Sequence, residues 1–301
     1  MQLKFINRLS ISKIYPPYSF ICEDKLEQFY YLQYMYKYLI FDIDCKYFFV
    51  AGYLDNSFRI YTKEKEKNIK YSIYTENNVT CIRKYNNSNL FFTGHQNGKL
   101  IKWMYLETNN DDLKKDDSLP LINVEKISSL CAHQSYVKII EISDKYEYIV
   151  TADEEGLVFI RKLYDFELLS YIKINKYKKQ VIDINLNNQI IILSVYIIKK
   201  KSSVIYKYSL NGLKLGKIDM EIKLPINAMP ETDKIMIFGL SNIYLINIYS
   251  NESSSLINYS LLDDNNNGDK KYYLISFFCD LKNRVLFVLF SNGNLYRVNF
   301  N

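Results

Sequence analysis

One short pattern recurs along this chain and leaves few folds open to it. An apolar run is followed by a small or polar break, a tight turn and a second apolar run. It occurs in YFFVAGYLDNSFRIY (47–61), NLFFTGHQNGKLIKW (89–103), EYIVTADEEGLVFIR (147–161), DKIMIFGLSNIYLIN (233–247) and RVLFVLFSNGNLYRV (284–298). The turn pairs are Asp55-Asn56, Asn97-Gly98, Glu155-Gly156, Ser241-Asn242 and Asn292-Gly293. Most of these pairs accept the positive φ that a two-residue hairpin turn demands. Each stretch therefore reads as a β-hairpin. A sixth, QIIILSVYIIKKKSSVIYKYSL (189–210), has the same form with a longer, basic turn.

The hairpins recur at about 40 to 60 residues, close to the period of propeller blades. Each is preceded by another short strand, at Tyr38–Ile43, Val79–Lys84, Val137–Ile142, Gln180–Leu186, Ile226–Met229 and Tyr273–Phe278. Fourth strands are predicted at Leu168–Ile174 and Leu213–Met220. Three or four strands per unit make a blade. A blade cannot bury both of its faces alone, so blades stack around a ring that must close. Helical signals are nearly absent; Tyr30–Leu39 is compatible with a short helix or a strand. Residues 1–37 hold further candidate strands at Leu3–Phe5 and Tyr18–Cys22, one of them expected to pair with the C-terminal strand Asn294–Phe300. Counted as a divergent blade, they bring the total to seven at about 43 residues each, with six as the alternative. The expected architecture is a single all-β propeller domain over residues 1–301, with six recognisable repeats in 38–301.

Composition narrows the function classes. The chain is 48% hydrophobic and 24% charged, which excludes wholesale disorder. A net charge of +6 spread over this length does not mark a dedicated nucleic-acid binder. No run reaches the roughly 18 apolar residues a membrane span requires. The N-terminus has neither the continuous apolar stretch nor the cleavage site of a secretory signal, so a cytoplasmic protein is expected. Cys22, Cys45, Cys81, Cys131 and Cys279 are widely spaced with no CxxC, and read as buried free thiols of a reducing compartment.

The run Ala51-Gly52-Tyr53-Leu54-Asp55-Asn56-Ser57-Phe58-Arg59-Ile60-Tyr61 is more specific than a generic hairpin. It resembles a hairpin of the C-terminal WD40 propeller of BEACH-domain proteins, the neurobeachin and beige group. In the same order, Val79-Thr80-Cys81, Trp103, Ala132-His133, Tyr208-Ser209-Leu210-Asn211-Gly212 and Asn299-Phe300-Asn301 are similar to that propeller. The resemblance runs from about residue 38 to the C-terminus. It implies a diverged WD40-like β-propeller and a non-catalytic role in vesicle traffic or autophagy. The implied partners are proteins, including a BEACH or PH-like module in cis or trans, with peripheral association with endomembranes. The BEACH and PH-like domains themselves are absent from this sequence.

WD40 blades often hold a buried network of His, Ser or Thr, Asp and Trp, and no repeat here carries all four. The second hairpin has Thr93 and Trp103, with Asn97 at the Asp position and Thr75 near the His position. The third has His133 and Thr151, with Glu155 for Asp and Arg161 for Trp. The repeat signatures are then Gly52, Asp55, Asn56, Thr93, Asn97, Gly98, Trp103, His133, Thr151, Gly156, Asn292 and Gly293. His133 is expected to cap a blade. His95 reads as an exposed turn residue, and Asp153-Glu154-Glu155 as a solvated turn. Two isolated histidines do not make a zinc site, and no nucleophile elbow or phosphate-cradling loop occurs, so neither catalysis nor a cofactor is expected. The alternative to a protein scaffold is a propeller that binds RNA or anionic membrane through lysine-rich loops. Its candidate contacts are Lys176, Lys178, Lys179, Lys199, Lys200 and Lys201. Of these two ligands, nucleic acid is the less expected. A propeller enzyme ranks third, for lack of a convergent titratable set.

Overall fold

The computed structural model describes residues 3–8, 39–41, 47–53, 55–62, 70–85, 88–108, 121–175, 177, 179–187, 189–200, 202–220, 226–228, 234–238, 242–251, 253–258, 274–280, 285–290 and 294–299. Among them, 24 strands form six four-stranded antiparallel sheets. The first sheet holds β2 (Leu39–Phe41), β3 (Tyr47–Val50), β4 (Ser57–Thr62) and β5 (Lys70–Tyr74). The second holds β6 (Val79–Lys84), β7 (Leu90–His95), β8 (Lys99–Thr108) and β9 (Leu121–Cys131). The third holds β10 (Val137–Ser143), β11 (Tyr148–Asp153), β12 (Leu157–Lys162) and β13 (Leu168–Lys173). The fourth holds β14 (Lys179–Asn187), β15 (Ile190–Ile197), β16 (Ser202–Ser209) and β17 (Lys214–Met220). The fifth holds β18 (Ile226–Ala228), β19 (Lys234–Phe238), β20 (Asn242–Asn247) and β21 (Ser253–Asn258). The sixth joins β22 (Leu274–Asp280), β23 (Val285–Phe290) and β24 (Asn294–Asn299) to β1 (Leu3–Arg8).

In every sheet the strands lie side by side in chain order, except that β1 supplies the outer edge of the sixth. Leu3 stands opposite Val298 and Arg8 opposite Asn294. The expected pairing of an N-terminal strand with the C-terminal strand is thus observed. It places β1 in the sixth sheet. The candidate strand at Tyr18–Cys22 lies outside the described residues, as do Cys22, Cys45, Lys176, Lys178, Lys201, Asn292 and Gly293.

The chain divides into two compact units, Lys37–Ile174 on one side and Met1–Tyr36 with Asn175–Asn301 on the other. In the first unit, the second sheet is covered on both faces, and strand geometry explains its runs of consecutive apolar residues. Successive side chains point to opposite faces. Phe91 joins Phe49, Phe58 and Trp103 between the first and second sheets, while its neighbour Phe92 joins Val137, Ile149 and Phe166 between the second and third. Phe91 stacks on Trp103 with centroids 6.2 Å apart, and Phe58 meets Trp103 edge-on at 5.3 Å. Each fully buried aromatic of this kind contributes roughly 1.5–3 kcal/mol. Burial falls off at the last strand: β11 is buried at every position, whereas Leu168, Leu169 and Tyr171 of β13 are exposed. In the other unit, Ile192, Ile205, Ile235, Ile246 and Ile248 form a core between the fourth and fifth sheets.

Three predicted hairpin turns have the expected left-handed residue: Asn56 (φ 59°), Gly98 (φ 78°) and Gly156 (φ 82°). Gly98 is fixed twice over. A Cβ there would lie 2.1 Å from the His133 carbonyl oxygen. A register shift recurs at one place in four sheets, between Val79 and Cys81, Val137 and Ile139, Val181 and Asp183, and Leu274 and Ser276. It makes positions in different sheets comparable residue by residue.

Candidate functional site

Two buried polar networks organise the second and third sheets. In the second, the Trp103 indole N–H donates to Thr93 Oγ1 at 2.7 Å, and Thr93 lies 2.8 Å from His95 Nε2. His95 Nδ1 lies 3.1 Å from the carbonyl of Asn77. A carbonyl only accepts, so Nδ1 carries the proton and Nε2 accepts from Thr93. Burial holds the His95 imidazole below its ordinary value of 6.5, which agrees with this neutral tautomer. In the third sheet, Thr151 Oγ1 lies 2.8 Å from His133 Nε2, and His133 Nδ1 lies 3.1 Å from Asp153 Oδ2. The other oxygen of Asp153 accepts the Leu157 N–H at 2.8 Å. Burial alone would raise the Asp153 carboxyl; the bonds from His133 and Leu157 outweigh it and leave the carboxyl below its ordinary value.

These networks correct the expected assignment of three residues. His95 is buried, at 1% exposure, and Asp153 is equally buried, so neither is a solvated turn residue. The acid that completes the third network is Asp153, and Glu155 does not occupy that role. The register shows why. His95 stands opposite Val79 and Asp153 opposite Val137, at matching places beside the recurrent shift. Each lies two residues beyond a threonine on the same strand, and residues two apart share a face. The spacings Thr93-x-His95 and Thr151-x-Asp153 carried that signal in the sequence. His133 caps its sheet as expected. Arg161, at the place Trp103 occupies in the second sheet, donates to the Phe166 carbonyl at 3.1 Å. In the fourth sheet the corresponding places hold Leu193 and Val195, both fully buried, so apolar side chains replace the network at these two places.

The remaining signatures serve turns. Asp55 accepts from Ser57 N at 3.2 Å and from Arg59 at 2.8 Å, and the Ser57 hydroxyl, ahead of Arg59, holds its carboxyl below the ordinary value. The Thr75 hydroxyl lies 2.7 Å from the Asn56 carbonyl and 2.7 Å from that of Asn77. Gly52 is buried with φ 86°, and Asn97 accepts from the Lys99 amide at 3.3 Å. Cys81 is buried as expected, but Cys131 is exposed, because β9 is an outer strand. Lys207 was not singled out from sequence. It is buried on β16, and its ammonium donates to the Ile248 carbonyl and to Asn251 Oδ1 at 2.9 Å. Those partners lie 41 and 44 residues away, so no local pattern announces the contact.

Among the lysines proposed for anionic partners, Lys199 and Lys200 are exposed. Lys179 is half-buried; its ammonium donates to the Tyr206 hydroxyl at 2.7 Å. It is therefore not a freely presented surface cation. Four large exposed apolar side chains of the first unit, Tyr164, Leu168, Leu169 and Tyr171, lie along the outer strand of the third sheet and the turn before it, while Tyr74, Leu106 and Ile127 are exposed on other strands. No group of three or more His, Cys, Asp or Glu is placed to hold a metal among the described residues. No helix there is long and apolar enough to cross a membrane.

Repeating four-stranded sheets, a recurrent register shift and His–Thr networks define a WD40-like β-propeller. The chain is similar to WD repeat-containing protein 35 of Homo sapiens, 25% identical over 195 residues, 64% of this chain and 16% of the relative. Its similarity to the Rattus norvegicus protein of the same name is 26% over 194 residues, 63% of this chain and 16% of that one. The chain thus matches only a small part of these relatives' length. A chain in the crystal structure of the mitotic checkpoint complex superposes with a TM-score of 0.60 at 13% identity, covering 87% of this chain and 75% of that one. No family model matches.

Proposed function

We propose that residues 1–301 form one non-catalytic propeller domain that binds other proteins. The observation that carries this is the outer strand of the third sheet. Leu168, Leu169 and Tyr171 are exposed on an edge strand, with Tyr164 on the turn before it. An edge strand with exposed aliphatic and aromatic side chains suits protein docking, since such residues supply binding energy when desolvated and the strand's free edge can pair. The similarity to WD repeat proteins supports the same reading. The test compares proteins captured from native extract by the full chain and by Leu169→Lys/Tyr171→Lys. Partners retained by the parent and lost by an equally stable variant support the proposal. Identical capture by both refutes it.

The likeness of Ala51–Tyr61 to BEACH-protein propellers supports a finer proposal: action in vesicle traffic or autophagy from the cytoplasm, beside a BEACH or PH-like module. Recovery of such a module with the full chain, by cross-linking in native cells, is the outcome that supports it. Repeated recovery of unrelated partners only would sink it.

A further inference from the structure

We infer that one end of the fourth sheet is a docking edge for an anionic lipid bilayer. Two segments meet there. Lys179 at the start of β14 stands opposite Ile197 at the end of β15, and Ile197 stands opposite Ser202 at the start of β16. The turn entering β14 and the turn joining β15 to β16 therefore share one end of one sheet. Each presents a large apolar residue to solvent: Tyr177 is 80% exposed and Ile198 is 46% exposed. The entering turn is shaped by Asn175, whose carbonyl accepts the Lys179 N–H at 2.9 Å and whose side chain accepts the Tyr177 N–H at 3.2 Å.

Both apolar residues have lysines beside them in the sequence. Lys176 and Lys178 flank Tyr177 in the sequence, and Ile198 is followed by Lys199, Lys200 and Lys201. Lys199 and Lys200 are exposed. Asp219, on the outer strand near this end, is already paired with Lys217 at 2.8 Å. Burial does not explain this combination, because Tyr177 and Ile198 lie outside the sheet's core. Tyrosine and isoleucine partition into the boundary between headgroups and acyl chains, and lysines beside them are drawn to anionic headgroups. A nucleic-acid platform would favour flat rings for stacking, which an aliphatic Ile198 does not provide. The bilayer is thus the occupant that uses every feature of this edge. This inference stands independently of protein docking at the third sheet.

The test is co-sedimentation of the full chain with vesicles of phosphatidylcholine, with and without phosphatidylserine. Binding is expected only with phosphatidylserine and is expected to weaken with salt. Replacing Lys199, Lys200 and Lys201 by Gln should lower partitioning roughly 100-fold, at roughly fivefold per lysine. Tyr177→Ser/Ile198→Ser should lower it at unchanged charge. Tyr177, Ile198, Lys199 and Lys200 are exposed, and the thermal transition of both variants should match the parent. Equal binding to both vesicle types at low salt overturns the inference, as does full binding by the lysine variant. Tighter binding to a single-stranded RNA, insensitive to Tyr177→Ser/Ile198→Ser, would reassign the edge to nucleic acid.

Discussion

Replacing Asp153 by Ala separates a buried network from a decorated turn. In the native fold both carboxylate oxygens are engaged, one with His133 Nδ1 at 3.1 Å and one with the Leu157 amide at 2.8 Å. The side chains of His133 and Asp153 are both 0% exposed, so water does not readily replace either bond. Asp153→Ala leaves two donors without a partner. At about 1–3 kcal/mol for each orphaned buried group, the expected cost is about 2–6 kcal/mol. That is a large share of the roughly 5–15 kcal/mol a domain has. Glu155→Ala should cost less than about 1 kcal/mol, as should Asp55→Ala, whose ion pair is partly solvated. The assay is urea unfolding followed by the emission of Trp103, the single tryptophan, which lies in the same unit. The acid limb supplies a second check. The Asp153 carboxyl lies below its ordinary value of 3.8, so its stabilisation is complete above that pH and is lost as pH falls through the lower native value. The gap between parent and Asp153→Ala should therefore close only in that acid range. If Asp153→Ala unfolds at the parent's midpoint while Glu155→Ala is the costly change, the network has been assigned to the wrong carboxylate.

Three further outcomes follow from the same geometry. Gly98→Ala should destabilise by more than about 2 kcal/mol in the same urea assay, because the new Cβ meets the His133 backbone carbonyl and the backbone φ is positive. His95 is held below 6.5 by burial, so the unfolded chain takes up a proton first as the solution is acidified; stability should fall from about pH 6.5 down to the native value, and His95→Asn should flatten that slope in unfolding curves measured across the window. Trp103→Phe keeps the stack on Phe91 but removes the donor to Thr93, for an expected loss of about 1 kcal/mol in chemical denaturation followed by circular dichroism.

Strand order and hairpin position were legible in the chain because both depend on local chemistry. Alternation and apolar runs fix which residues are strands, and Asn56, Gly98 and Gly156 stand where a tight turn needs positive φ. The predicted first strand Val79–Lys84 coincides with β6, and Leu213–Met220 differs from β17 by one residue. The pairing of an N-terminal strand with the C-terminal strand was likewise readable, since the last repeat supplies only three strands of its own and β1 fills the outer place.

What the sequence left open are the properties set by what comes to lie across a sheet. His95 and Asp153 sit in polar, turn-like stretches, and a linear reading puts them in water. They are buried beside the shift at Val79 and Val137, each hydrogen-bonded to a segment 18 to 20 residues distant. Lys207 reads as one more surface lysine until the fifth sheet supplies a carbonyl and an amide for its ammonium. Lys179 likewise reads as part of a basic loop until Tyr206 holds it. The sequence by itself determined a repeating, hairpin-built all-β fold, because strand period and turn φ are properties of neighbouring residues. Only the tertiary structure decided which polar residues hold the sheets together and which remain free to meet a partner. Burial and hydrogen-bond pairing are set by residues distant in the chain, and no local pattern encodes them.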